Sequence, residues 1–375
     1  MKRVAPVLPP ALSVPAWSRR DWLALCASAC ALPTSAATQN LPAGPLRFPR
    51  DHGSHPELRT EWWYLTGHTR VDERAFGFQL TFFRSRVPGT QGMRSRFAAQ
   101  QLLFAHAALT DLQGGRMLHD QRIARAGFGL AEASTQDTDI VLGDWTLKRS
   151  NIEGRSRYAA RMRGDSFALD LELDATQSVL LQGGSGLSRK GPHPDNLSLY
   201  ITEPQLRMQG SITLGRERLA LSATAGRAWL DHEASEAILP DEAVGWDWTG
   251  MNLENGSALT AFQLRRADGT ALWAGGSWRA PGSKVRVFGP EELRFTPLRT
   301  WSSDASGARY PVAWRLETPI GAFEVHALLD AQELDSRGST GAFYWEGVSE
   351  LRTDGRLAVG RGYLEMTGYA ARLAL

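Results

Sequence analysis

The densest group of side chains able to do chemistry is Trp229-Leu230-Asp231-His232-Glu233, followed by Gly245-Trp246-Asp247-Trp248. Carboxyls and one imidazole stand among indole rings. In an apolar cavity, burial keeps a carboxyl protonated and ready to donate. The aromatic faces around it stabilise a developing cation. Such a set suits protonation of an alkene followed by addition of water, and it equally suits acid-assisted hydrolysis. Asp231, His232, Glu233 and Asp247 are therefore the candidate catalytic residues, with Asp231 or Asp247 donating a proton and His232 or Glu233 orienting water. Alternate residues of a strand face opposite sides. Asp231 and Glu233 then share one face and His232 takes the other, unless a turn after Leu230 relaxes the rule. By the same alternation Asp247 faces away from Trp246 and Trp248 and toward a cavity or solvent if the tryptophans are packed.

A second polar group lies earlier, in His52-Gly53-Ser54-His55, Glu61-Trp62-Trp63-Tyr64 and His68. Glu61 beside a tryptophan pair reads as a buried carboxyl that matches a basic group or anchors a cavity mouth. His52 and His55 have a spacing compatible with metal ligation, but no third and fourth ligands follow at characteristic spacing, so no metal is expected. His68 and His106 read as structural, and His193, between Pro192 and Pro194, as a loop residue. There is no Gly-x-Ser-x-Gly elbow, P-loop, dinucleotide fingerprint or His-Glu-x-x-His, and no cofactor is expected.

The elements that must position these residues read as antiparallel strands. Ala75 to Phe83, Phe167 to Leu173, Leu206 to Leu214, Ala258 to Leu264, Val285 to Phe288, Phe323 to Leu329 and Leu357 to Tyr363 alternate apolar and polar residues. Turn-forming pairs such as Asp72-Glu73, Asp268-Gly269 and Asp354-Gly355 separate such runs. Many short strands close into barrels or pack as sandwiches, which removes exposed edges. An internal repeat refines this picture. Trp62 is followed after sixteen residues by Phe78-Gln79-Leu80, and Trp246 at the same interval by Phe262-Gln263-Leu264. A weaker echo joins Gly226-Arg227-Ala228-Trp229-Leu230-Asp231 to Gly360-Arg361-Gly362-Tyr363-Leu364-Glu365. Two related β modules are expected, over 38–225 and 226–375.

With 375 residues the chain has ample length for a core, and 42% apolar content with a formal charge of +2 excludes a disordered or polybasic chain. No nucleic-acid partner is expected. Residues 1–37 read as an export signal of twin-arginine type. Arg19-Arg20 precede an apolar run from Trp22 to Leu32, and small residues follow from Thr34 to Ala37. That run is far short of the roughly 20 residues that span a bilayer, so no permanent transmembrane anchor is expected. Removal of the segment takes away both cysteines, Cys26 and Cys30, and leaves a charge of about −1. A periplasmic or secreted protein is expected.

In Asp51-His52-Gly53, Thr60-Glu61-Trp62-Trp63-Tyr64-Leu65-Thr66-Gly67, Trp229 to Glu233, Gly245 to Trp248 and Gly362 to Tyr369, the chain resembles the AttH and carotenoid 1,2-hydratase family, in its secreted, hydrolase-like branch. The resemblance covers nearly the whole mature chain. It implies an all-β fold of two lipocalin-like antiparallel barrel modules, and cofactor-independent addition of water to the terminal alkene of an acyclic isoprenoid. By motif position it implies Asp231, His232 and Asp247 as polar cavity residues, shaped by Trp229, Trp246 and Tyr200. Together with Glu61, Trp62, Tyr64 and Trp248 these rings form the expected substrate-binding set. The expected function is binding of a long apolar molecule, isoprenoid or lipid-like, with acid-assisted hydration or hydrolysis. The alternatives are a noncatalytic lipid or isoprenoid carrier and an accessory protein of a membrane transport system.

Overall fold

A computed structural model describes residue 41, residues 44–354 and residues 357–372; the expected export signal over 1–37 lies outside the described residues. The described residues form twenty-four strands and four single 3-10 turns. Among the described residues no helix is long and apolar enough to cross a membrane.

Nine strands position the site and are numbered in chain order. They are β1 (Thr60–Val71), β2 (Arg74–Arg86), β3 (Gln101–Asp111), β4 (Leu197–Leu214), β5 (Arg227–Ser235), β6 (Gly245–Leu253), β7 (Ala258–Arg265), β8 (Phe343–Thr353) and β9 (Ala358–Met366). A 14-stranded antiparallel sheet, nearly closed on itself, contains the order β3-β2-β1-β5-β4, and a 10-stranded, curled sheet contains β7-β6-β9-β8. The molecule is thus all-β, built from two barrel-like modules. The strands occupy the segments that alternation marks out, because one face of each must meet an apolar core.

The modules repeat one another. β1 lies between β2 and β5, and β6 lies between β7 and β9. In the first sheet Tyr64 pairs with Asp231, and in the second Trp248 pairs with Glu365. The Gly226–Asp231 and Gly360–Glu365 echo therefore marks equivalent strands, with its two acids at equivalent places. The Phe-Gln-Leu echo does not. Phe78 pairs with Gly67, five residues beyond Trp62, whereas Phe262 pairs with Trp248, two beyond Trp246. The register differs by an odd number, which turns Phe78 into the first core and Phe262 toward the other module. The expected module boundary at 225/226 falls before β5, yet β5 is sandwiched between β1 and β4, and the chain leaves the first sheet only after Ser235. Residues 236–244 make the crossing to β6.

Each module has its own interior, with Trp63, Leu65, Phe82 and Leu230 in the first and Met251, Leu259, Trp345 and Leu364 in the second. A third apolar cluster of Tyr64, Trp229, Trp248, Phe262, Val348 and Tyr363 joins them. Burying each large side chain stabilises the fold by about 1.5–3 kcal/mol. Gly77 allows the modules to touch: a Cβ there would stand 2.6 Å from the Val348 Cβ. Gly250 does the same for the tryptophans, since its Cβ would lie 2.4 Å from the Trp248 ring and 2.9 Å from Trp229.

Candidate functional site

Between the modules lies a cavity of about 90 Å³, walled by both sheets. Strand alternation decides what enters it. On β1 and β5 the residues Trp62, Tyr64, Asp231 and Glu233 face the cavity, while Glu61, Trp63, Leu65, Leu230 and His232 face the first barrel's interior side. On β6 and β9 the cavity receives Trp246, Trp248 and Glu365. A row of paired residues crosses each sheet here. His106, Thr81, Tyr64, Asp231 and Thr202 form the first row, and Phe262, Trp248, Glu365 and Glu346 the second.

Asp231 is held by two hydroxyls. Tyr200 donates to Oδ2 at 2.8 Å and Thr202 to Oδ1 at 2.5 Å, and the Trp248 indole N–H donates to the Tyr200 hydroxyl at 3.0 Å. Burial pushes the Asp231 carboxyl up to about 7, against the pull of these hydrogen bonds. Glu365 is pushed up to about 8, by burial first and then by the charges of Asp231 and Glu233. Burial and the neighbouring Glu365 hold Glu346 well above the usual carboxylate range. Such a group of carboxyls in one apolar space keeps protons at neutral pH, because ionising all of them would place repelling charges in a poorly solvated volume.

Lys190 supplies the cavity's cation. Its Nζ lies 3.0 Å from Glu233 Oε1, 4.4 Å from the Tyr200 ring centre and 4.2 Å from that of Phe262. Tyr64 meets Trp248 edge-on at 5.3 Å. His106 touches the Tyr344 hydroxyl at 2.8 Å and the Ser339 hydroxyl at 2.7 Å, and burial lowers its pKa to about 3, so the ring is neutral.

The expected residues divide accordingly. The cavity brings together Asp231, Glu233, Trp62, Tyr64, Tyr200, Trp246 and Trp248, with Trp229 packed against Trp248 behind its wall. His232 and Glu61 do not reach it. They occupy the opposite face of the same two strands, where His232 Nε2 and His55 Nδ1 each lie 2.8 Å from Glu61 Oε1 and Arg84 Nε donates to Oε2 at 2.8 Å. Trp63 stacks on His232 at 4.5 Å. Burial alone would raise Glu61, but hydrogen bonds from His232 and His55, with the Arg84 charge, hold it well below the usual range. Asp247 is likewise turned away, into the second barrel. Arg265 lies 2.9 Å from it, Gln263 donates to it at 2.8 Å and the Tyr369 hydroxyl at 2.9 Å. The tryptophans around Asp247 line the cavity, so alternation sends the acid to the other side.

Glu365, Glu346, Lys190, Tyr344, Thr202 and Phe262 were not among the expected site residues. The Gly360–Glu365 echo carried a signal for Glu365, an acid at the same phase as Asp231. Phe262 belongs to the Phe-Gln-Leu echo, and the others come from distant strands or a loop and have no local motif. Among the described residues, His55, Glu61 and His232 could hold a metal, since one ligand atom from each lies within 4.8 Å of the others. Arg84 on the second oxygen of Glu61 sets a fixed positive charge beside any such ion, and these nitrogens already satisfy the carboxylate. His52 is not part of this set.

A family model described as AttH-like matches residues 39–369. An AttH structure from Nitrosomonas europaea superposes with a TM-score of 0.80 at 43% identity, covering 88% of this chain and 98% of that one. Kievitone hydratase from Nectria haematococca superposes with a TM-score of 0.68 at 17% identity, over 89% and 96% of the two chains, a likeness of fold. In sequence, the kievitone hydratase of Fusarium solani subsp. phaseoli is 24% identical over 207 residues, which span 54% of this chain and 57% of that relative, less than two thirds of its length.

Proposed function

Because the chain belongs to the AttH-like family, we propose that it adds water to an isolated alkene of a long apolar molecule of isoprenoid type. The observation that carries this reading is the pair of equivalent acids, Asp231 and Glu365, both biased toward the protonated form inside one aromatic cavity. The name of the kievitone hydratases supports the reaction class.

Asp231 is the better proton donor, since its pKa near 7 is matched to neutral pH and its hydroxyl partners stabilise the carboxylate left behind. Its proton forms a C–H bond with the alkene π pair at the less substituted carbon. The positive charge on the other carbon faces Trp62, Trp246, Trp248 and Tyr64, whose ring faces attract it. Water then forms the C–O bond and loses a proton to a carboxylate, for which Glu233, paired with Lys190, is placed. The net change is alkene plus water to alcohol, with no electron supplied or removed. The same reading places the reaction outside the cytoplasm, on the strength of the Arg19-Arg20 leader.

The test is incubation of the mature protein with an acyclic isoprenoid in ¹⁸O-water, read by mass spectrometry. A labelled tertiary alcohol is the expected product. Asp231→Asn should lower turnover by about 10²–10⁴-fold while leaving ligand retention within threefold. Recovery of bound but unchanged isoprenoid, equal for wild type and Asp231→Asn, would replace the hydratase with a carrier.

A further inference from the structure

Two loops at one end of the first sheet hold aromatic rings in solvent. The first, residues 87–100, joins β2 to β3, and the second, residues 126–130, follows the strand Arg116–Arg125 that pairs with β3. Arg86 pairs with Gln101 and Leu102 with Arg125, so both loops rise from the same strand ends. Phe97 is 72% exposed, Leu130 62% and Phe128 49%, and Met93 is exposed as well. Apolar residues scattered singly over a surface need no explanation, but a cluster of them marks an interaction site.

The cluster is built. The rings of Phe97 and Phe128 stack at 5.7 Å. The Arg125 guanidinium lies 4.4 Å from the Phe128 ring centre and 5.4 Å from that of Phe97, and its Nη1 donates to the Phe97 carbonyl at 2.7 Å. Within the longer loop the Thr90 hydroxyl donates to the Ala99 carbonyl and the Gln91 amide to the Gln100 carbonyl, each at 2.7 Å. The shorter loop holds its ring outward against a backbone preference. Phe128 has a left-handed φ of 62°, between Gly127 at 106° and Gly129 at 70°. Bulky residues rarely adopt that region, and such strain gathers where function requires it. Gly89, Gly92, Gly127 and Gly129 all have open space where a Cβ would stand. The loop tips therefore project instead of lining a groove.

Charge selects the partner. From Arg74 to Thr110 the chain contains no acid, and neither does the stretch from Gln121 to Ala131. Arg94 and Arg96, beside Phe97, are exposed and make no ion pair among the described residues. Projecting apolar tips flanked by unpaired cations match the interface of an anionic bilayer. There the rings reach the acyl boundary while guanidinium groups stay at the phosphates. The patch also adjoins the strand ends that wall the central cavity. Phe83, three residues before Arg86, lines that cavity, as does Ser235, which pairs with Thr60 opposite Ser85.

We propose that loops 87–100 and 126–130 dock the protein on an anionic phospholipid bilayer, with Phe97, Phe128 and Leu130 at the acyl boundary and Arg94 and Arg96 on lipid phosphates. Docking brings the cavity wall to a store of apolar molecules, whether or not such a molecule is then turned over.

The experiment is flotation of residues 38–375, which contain every described strand, with vesicles of phosphatidylglycerol and phosphatidylcholine in equal parts and, separately, of phosphatidylcholine alone. The chain should float with the anionic vesicles, about fivefold less with the neutral ones, and less again as salt rises. Phe97→Ser combined with Phe128→Asn, a residue that tolerates the left-handed φ, should lower binding to anionic vesicles about tenfold with an unchanged circular dichroism spectrum. Arg94→Gln with Arg96→Gln should do the same. Arg216→Gln with Arg294→Gln, a charge-matched pair exposed elsewhere, should leave binding within about twofold. An equal loss in that pair would reduce the attraction to general charge and overturn the docking surface. So would undiminished binding by the Phe97 and Phe128 variant. A folded wild-type chain that stays with the unbound fraction would also overturn it and leave the patch to a protein partner.

Discussion

Glu61 and Asp231 are carboxyls of adjacent strands, 0% and 2% exposed, and their titration is driven in opposite directions. Burial penalises both charges. The partners decide the outcome. Glu61 is surrounded by a guanidinium and two imidazoles, which hold it ionised. Asp231 has only neutral donors, the Thr202 and Tyr200 hydroxyls and the Trp229 indole, too weak to offset desolvation, and the nearby Glu233 charge raises it further, so it keeps its proton near neutral pH. One face of the β1–β5 pair thus carries a salt-bridged brace and the other a carboxyl biased toward its protonated form. The division follows from strand alternation alone, since His232 sits between Asp231 and Glu233 in sequence and on the far side of the sheet in space.

The strongest way to break this contrast is to give Glu61 the neutral character of Asp231. Glu61→Gln leaves Arg84 buried without its counter-charge and should cost about 3–5 kcal/mol of stability, measured by denaturant unfolding at pH 7. A loss below about 1 kcal/mol would show that the brace is not ionic.

A second expected effect is a pH dependence of opposite sign at the two sites. The folded pKa of Asp231, about 7, lies above its ordinary value of 3.8, so the folded chain holds a proton that the unfolded chain has released. Stability from this site is complete below about pH 4 and is lost as the pH rises toward 7, by a few kcal/mol. Glu61 behaves in the opposite way. Its contribution is present above its ordinary 4.5 and is lost as the pH falls through its depressed value. Asp231→Asn should therefore flatten the decline of Tm between about pH 4 and 7 and leave the Glu61-linked acid limb unchanged. A decline as steep as in wild type would assign that limb to other groups.

The smallest effect sharpens the Asp231 side. Thr202→Val removes one of the hydroxyls that lower its pKa. The alkaline limb of the pH–rate profile should move up by several tenths of a unit, and a downward shift would mean that this hydrogen bond favours the protonated acid instead.

Much of this was legible in the amino-acid order. The two-residue period marks strands such as Phe167–Asp174 and Ala258–Arg265, and it sets Asp231 and Glu233 against His232. The Gly226 and Gly360 echo pointed to equivalent strands. The choice of face at Asp247 was not legible, because alternation says only that the acid opposes the tryptophans, and the aromatic side proved to be the cavity. Nor was the cavity's full set of acids. Glu346 reaches Glu365 through pairing of strands that only the fold brings into register with Asp231, more than a hundred residues away. Lys190 enters from a loop whose position no periodicity encodes. The Phe-Gln-Leu repeat misled for a related reason, since two hairpins of different length can share a spacing and still present opposite faces.

Residues 236–244, which carry the chain from one sheet to the next, also contribute Ala237 and Ile238 to the cavity wall. The tether between the halves is therefore also part of the container. Any tilt of one sheet against the other must drag these two side chains and reshape the enclosed space.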